Sequence, residues 1–95
     1  MNKYEAVMIL EPNTEENRIG EILEIIKNKI EDDEGKVTNL EKIGLKNLAY
    51  EIKNNKQGYY IVIQFESEQS TTVELERFFR ITEEVMKFIV VRMEE

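Results

Sequence analysis

Tyr59-Tyr60-Ile61-Val62-Ile63-Gln64-Phe65-Glu66 decides how this chain folds. Successive side chains of a strand point to opposite faces, and here both faces carry apolar residues, which suits a strand in the middle of a sheet. Just before it, Asn54-Asn55-Lys56-Gln57-Gly58 reads as a hairpin turn. Before that, Lys36 to Lys53 is extended but interrupted by Gly44, where a bulge or bend is expected, and it reads as a long edge strand. The segment Lys3 to Glu11 repeats the two-sided pattern, with Tyr4, Ala6, Met8 and Leu10 on one face and Glu5, Val7, Ile9 and Glu11 on the other. It reads as a second central strand.

Two helical patterns separate the strands. Ile19, Ile22, Leu23, Ile26 and Ile30 recur at three- and four-residue steps and form one apolar stripe, with Ile25 at its margin. Asn13 and Glu16 have capping-box spacing at its start, and Gly35 offers a stop after the acidic run Glu31 to Glu34, which reads as solvated charge. Leu75, Phe78 and Phe79 form a shorter stripe, with Thr71 and Glu74 repeating the capping-box spacing, and Val85 to Met93 reads as the last strand. The order strand, helix, strand, strand, helix, strand predicts an α+β, ferredoxin-like split βαββαβ fold. Its four-stranded antiparallel sheet would carry two helices on one face. Right-handed crossovers put the first and third strands in the middle, matching the two that composition places there.

Ninety-five residues suit a single domain spanning 1–95. The chain contains neither Cys nor His, which removes disulfides, thiolate and imidazole metal ligands and the usual activated nucleophiles. The carboxylates fall on expected helix surfaces and termini, so the reading is a binding protein and not an enzyme, with no metal and no cofactor. No apolar run suggests a signal sequence or a membrane span, and a soluble cytoplasmic protein is expected. The net charge of −7 argues against a general polyanion binder. Its distribution is more telling: residues 36 to 56 hold five lysines against two glutamates, a local +3 that leaves −10 elsewhere. Nucleic-acid contact is expected in that stretch.

Two helices cover only one side of four strands, so the other side faces solvent or a partner. Strand parity assigns to it Glu5, Val7, Ile9 and Glu11, then Tyr60, Val62, Gln64 and Glu66, then Lys87, Ile89 and Val91. The six apolar or aromatic side chains at its centre, Val7, Ile9, Tyr60, Val62, Ile89 and Val91, predict a patch for a protein partner. The third strand also resembles, loosely, the main motif of RNA-recognition domains, but the first strand offers Val7 and Ile9 where a stacking ring would be needed.

The segment Ile43-Gly44-Leu45-Lys46-Asn47-Leu48-Ala49-Tyr50-Glu51-Ile52 resembles the S6 family (bS6) of the bacterial small ribosomal subunit. The opening Tyr4-Glu5 strand ending in Glu11-Pro12, the hairpin exit Gln57-Gly58-Tyr59-Tyr60 and the stretch Leu75 to Ile81 through Val90-Val91 are similar to that family in the same order. The resemblance implies a structural constituent of the small subunit that binds the central domain of 16S ribosomal RNA together with the basic ribosomal protein S18. Two adjacent basic residues usually precede the Leu-Ala-Tyr of the family; Lys46 and Asn47 stand there in this chain. RNA contacts are accordingly expected at Lys3, Lys42, Lys46, Asn47, Lys53 and Lys56. Partner contacts are expected at Val7, Ile9, Leu48, Tyr50, Tyr60, Val62, Ile89 and Val91. Localisation follows as cytoplasmic and ribosomal, with no membrane and no small-molecule substrate. The alternative is a ferredoxin-like module of the regulatory ligand-binding or RNA-recognition type.

Overall fold

A computed structural model describes residues 1–93. Six elements follow in order: β1 (Asn2–Leu10), α1 (Glu16–Asp32), β2 (Lys36–Ile52), β3 (Asn55–Ser67), α2 (Gln69–Ile81) and β4 (Val85–Arg92). The strands form one antiparallel sheet in the order β2-β3-β1-β4, so β1 and β3 are central as their two-sided composition predicts. Among the described residues no helix is long and apolar enough to cross a membrane.

The core lies between the helices and one sheet face. Ile19, Ile22, Ile26 and Ile30 of α1 and Leu75 and Phe79 of α2 are buried against Ala6, Met8, Leu10, Ile61, Ile63 and Phe65. Tyr4 stacks on Phe65 with centroids 5.6 Å apart, and Phe79 meets Phe88 at 5.2 Å. Such pairs add directional packing to plain burial.

The helix ends depart from expectation. Neither capping box forms: α1 is entered at Glu15 and α2 at Glu68, without a side-chain cap at either. Asn13 precedes the α1 entry by two residues, whereas Thr71 lies inside α2, fully buried, and donates to Asp33 Oδ2 at 3.1 Å. One carboxylate of the Glu31–Glu34 run therefore ties the end of α1 to the first turn of α2, where solvation alone was expected. The stop after α1 also differs. Glu34, not Gly35, takes the left-handed conformation (φ 67°), while the N–H groups of Glu34 and Gly35 bond to Glu31 and Ile30 carbonyls at 3.0 and 2.8 Å. This is a Schellman-type ending. Gly35 is needed for space instead, because it passes close to backbone of both Ile30 and Glu66.

Between α1 and the turn that leads into β4, Arg18 forks onto Glu84 through Nε (2.9 Å) and Nη2 (3.2 Å). The guanidinium holds the Glu84 carboxyl below its ordinary range, outweighing the opposing effect of burial, and Arg18 is raised in turn. A depressed carboxyl stabilises the fold above its unfolded pKa and loses that contribution as pH falls through the folded value. Both side chains are partly exposed (38% and 25%), so the pair is worth at most about 1 kcal/mol. Glu84→Gln is expected to lower urea-derived stability by that amount near neutral pH and by progressively less as the pH falls through the lowered range in which the wild-type carboxyl takes up its proton.

Candidate protein- and RNA-binding surface

The sheet register builds the open face row by row. Val7 pairs with Val62 on one side and Ile89 on the other; Glu5 sits between Gln64 and Val91, and Ile9 between Tyr60 and Lys87. Val7, Val62 and Tyr60 are half-buried by these neighbours, whereas Ile89 and Val91 are exposed at 55% and 42%. Gln64 Nε2 donates to Glu5 Oε1 at 3.0 Å, closing the apolar centre with a polar pair.

Ile9 departs from its expected exposure: it is only 8% exposed although it lies on the open side. Its cover comes from the β2–β3 hairpin and from β4. A Cβ placed on Gly58 would collide with Ile9 Cγ2 and approach Met86 Cε (3.1 Å) and Leu48 Cδ2 (3.4 Å), so these side chains converge over the glycine. Met86 arrives there because the β1–β4 register shifts between Ile9 and Leu10, which pair with Lys87 and Val85 and leave Met86 without a partner of its own. A bulge of this kind re-aims a side chain.

β2 is bent. Its 16 steps would span about 53 Å if straight, longer than the body diagonal of about 50 Å given by Cα dimensions of 37 × 27 × 21 Å. Of its three register shifts against β3, one lies between Val37 and Asn39 and one between Lys42 and Gly44, where Gly44 has φ 100°, as its interruption of the strand predicts. In the third, Asn47 pairs with Gln57 and Ile52 with Asn55, so Leu48, Ala49, Tyr50 and Glu51 stand outside the ladder as a wide bulge. The hairpin closes at Lys53-Asn54, both with positive φ, two residues as in the primed turns of tight hairpins. The predicted turn residues Asn55 to Gly58 are instead part of β3.

The lysines do not gather into one site. Lys3, Lys42, Lys46, Asn47, Lys53 and Lys56 are all exposed. Lys46 pairs with Gly58 on the open side, whereas Lys42 pairs with the inward Ile61 and places Nζ 3.9 Å from Glu16 Oε2 beside α1. Lys3 pairs with Glu66, eight residues along β3 from Gly58, about 26 Å away at strand spacing. Asn47 accepts a bond from Gln57 Nε2 at 3.3 Å, which occupies its oxygen and leaves its N–H donors for an acceptor such as a phosphate. What the structure does join is the hairpin end: Lys46, Asn47, Lys53 and Lys56 lie there, near Lys87 of β4. Lys87, which strand parity placed on the open face without a role, donates from Nζ to the Tyr50 hydroxyl at 2.8 Å. Among the described residues no cluster of metal-ligating side chains occurs.

The chain matches the family described as Ribosomal protein S6 over residues 3–92. It belongs to the ribosomal protein S6 family. Small ribosomal subunit protein bS6 of Helicobacter hepaticus is 44% identical over 99% of this chain and 69% of that protein. The bS6 protein of Carboxydothermus hydrogenoformans is 37% identical over 97% of this chain and 96% of its own length. The chain spans 66% of the Helicobacter pylori bS6 protein, about two thirds. The crystal structure of 30S ribosomal protein S6 from Thermotoga maritima superposes with a TM-score of 0.88 at 34% identity, over 97% of this chain and 87% of that one. An Arabidopsis thaliana protein at 14% identity and TM-score 0.59 shares the fold alone. As an S6 family member the chain is a structural ribosomal protein of the small subunit, in a cytoplasmic ribonucleoprotein.

Proposed function

We propose that this S6 protein binds the central domain of 16S ribosomal RNA jointly with ribosomal protein S18, using two parts of one surface. The carrying observation is the in-register apolar row Val62–Val7–Ile89, with the lysine-bearing hairpin further along the strands beyond the Tyr60–Ile9–Lys87 row. An exposed apolar centre with a polar rim is the anatomy of a protein interface. The protein partner covers Val7, Tyr60, Val62, Ile89 and Val91, with Leu48 and Tyr50 at the margin, and RNA meets Lys46, Asn47, Lys53 and Lys56. Lys3 and Lys42 serve RNA only at separate points, since the fold puts them at another end and on another face. A net charge of −7 favours a basic protein as the occupant of the centre and makes this end the main place of direct RNA contact.

The test is RNA binding by the reconstituted pair. Lys46→Glu is expected to weaken binding of the S6–S18 pair to a central-domain fragment about tenfold at near-physiological salt and to flatten the salt dependence by roughly one counterion. The thermal midpoint of the protein alone should hardly move, because Lys46 is exposed. Equal affinity of mutant and wild type at matched salt would remove the hairpin from the RNA interface.

A further inference from the structure

β2 and β4 are the two outer strands of the sheet, three inter-strand spacings or about 14 Å apart. Yet Tyr50 of β2 touches Lys87 of β4. The contact is possible because the Leu48–Glu51 bulge lies beyond the end of β1, whose last residue pairs with Tyr59, and the overhanging hairpin arches across the open face. Three contacts hold it there: Lys87 Nζ to the Tyr50 hydroxyl at 2.8 Å, Asn55 Nδ2 to Met86 Sδ at 3.4 Å, and Leu48 over Gly58 and Ile9. Of these the first is the directed, charged one. Lys87 Nζ is 5.4 Å from the Tyr50 ring centroid, nearly the hydrogen-bond length added to the reach from centroid to hydroxyl. The ammonium therefore sits off the end of the phenol, not above its face, and the interaction is a charge-assisted hydrogen bond with little cation–π character. Lys87 is also raised above its ordinary range by this bond.

The same lysine lines a depression of about 210 Å³ with Val7, Ile9, Phe88 and Ile89. Its stem thus belongs to the apolar centre while its charged end reaches the hairpin, a division of labour open to long cationic side chains. We propose that Lys87 is a positioning residue of the partner surface: it fastens the arched hairpin through Tyr50, so that the bulge and the Val62–Val7–Ile89 row meet a basic protein partner as one preformed surface. This rests on the proposed S18-binding role of the open face. The latch saves the partner from ordering the bulge itself, and ordering costs are what preformed surfaces avoid.

The test uses Lys87→Met, Tyr50→Phe and the double variant, read by amide hydrogen exchange of residues 48–52 in the free protein and by affinity for purified S18. Each single change and the double should accelerate exchange and weaken S18 binding by the same factor, about fivefold, because either one opens the same latch. Lys87→Arg, which keeps a donor, should restore both readouts. The sign is diagnostic: loss of a positive charge would by itself favour a basic partner, so weaker binding by Lys87→Met reports position and not charge. Effects that multiply in the double variant, or exchange and affinity unchanged in Lys87→Met while wild type binds S18, would overturn the latch and leave the partner surface standing. Failure of wild type to bind S18 would overturn both.

Discussion

Val7→Glu is expected to abolish partner binding at concentrations where the wild type is saturated, a loss of at least about 100-fold in affinity, or roughly 3 kcal/mol. Among the described residues, Val7 occupies the middle of the only row in which three β-branched side chains adjoin across β3, β1 and β4. A carboxylate introduced there would be desolvated by the arriving protein in the apolar centre of the contact, and the cost of burying a charge among apolar side chains exceeds what general attraction to a basic partner returns. The folded monomer should tolerate the change much better, losing about 1 kcal/mol, because Val7 points away from both helices and is only half-buried in the free chain. Affinity for S18 by titration calorimetry, with urea unfolding as control, separates the two effects. Affinity within threefold of wild type would show that the partner sits elsewhere.

Gly35→Ala carries the largest expected effect on stability. The added Cβ would lie 2.5 Å from the Glu66 carbonyl oxygen and 2.9 Å from that of Ile30. Both are backbone atoms, one ending α1 and the other held in β3 between Lys3 and Lys36, so neither retreats without moving a helix or the sheet. Overpacking of this kind costs about 2–3 kcal/mol, which in a domain of this size lowers the thermal midpoint by roughly 10–20 °C. Gly20 provides the control of opposite sign. It is exposed on α1 with nothing within 4 Å of a Cβ, and replacing a mid-helix glycine by alanine gains about 1 kcal/mol. A Gly35→Ala protein as stable as wild type would mean that the junction of α1 with β2 gives way more readily than its backbone contacts indicate.

The architecture was legible because it depends on one-dimensional patterns. Apolar residues on both faces of Tyr59–Glu66 and Lys3–Glu11 identified the central strands, and the isoleucines of α1 identified a buried stripe; each survives folding as a local periodicity. What stayed hidden depends on chain segments that meet only in space. Parity placed Ile9 on the correct side of the sheet but could not show that Leu48 and Met86 cover it. Spacing alone suggested capping boxes at Asn13 and Thr71, while the true entry residues are Glu15 and Glu68 and Thr71 serves Asp33 instead. The wide bulge at Leu48–Glu51 contains no glycine or proline to announce it. Most instructive is the basic stretch: five lysines in 21 residues form a cluster in sequence, but an extended chain alternates faces and advances about 3.3 Å per residue. Folding therefore divides them, and only those around the hairpin end remain together. Lys87, remote in sequence, joins that end through the Tyr50 contact.

The pairing of β4 with β1 has a bearing on how the protein is made. β1 leaves the ribosome before the other five elements, but one of its two edges has no partner until β4, the last of the six in chain order, emerges and pairs with it. At some 5–20 residues per second, β1 waits several seconds with that edge uncovered. During that interval Val7 and its neighbours are bordered on one side only, and the aromatic contact between Phe79 and Phe88 does not exist. The proposed partner surface is thus incomplete until β4 has paired, and a nascent chain that still lacks β4 cannot present it whole.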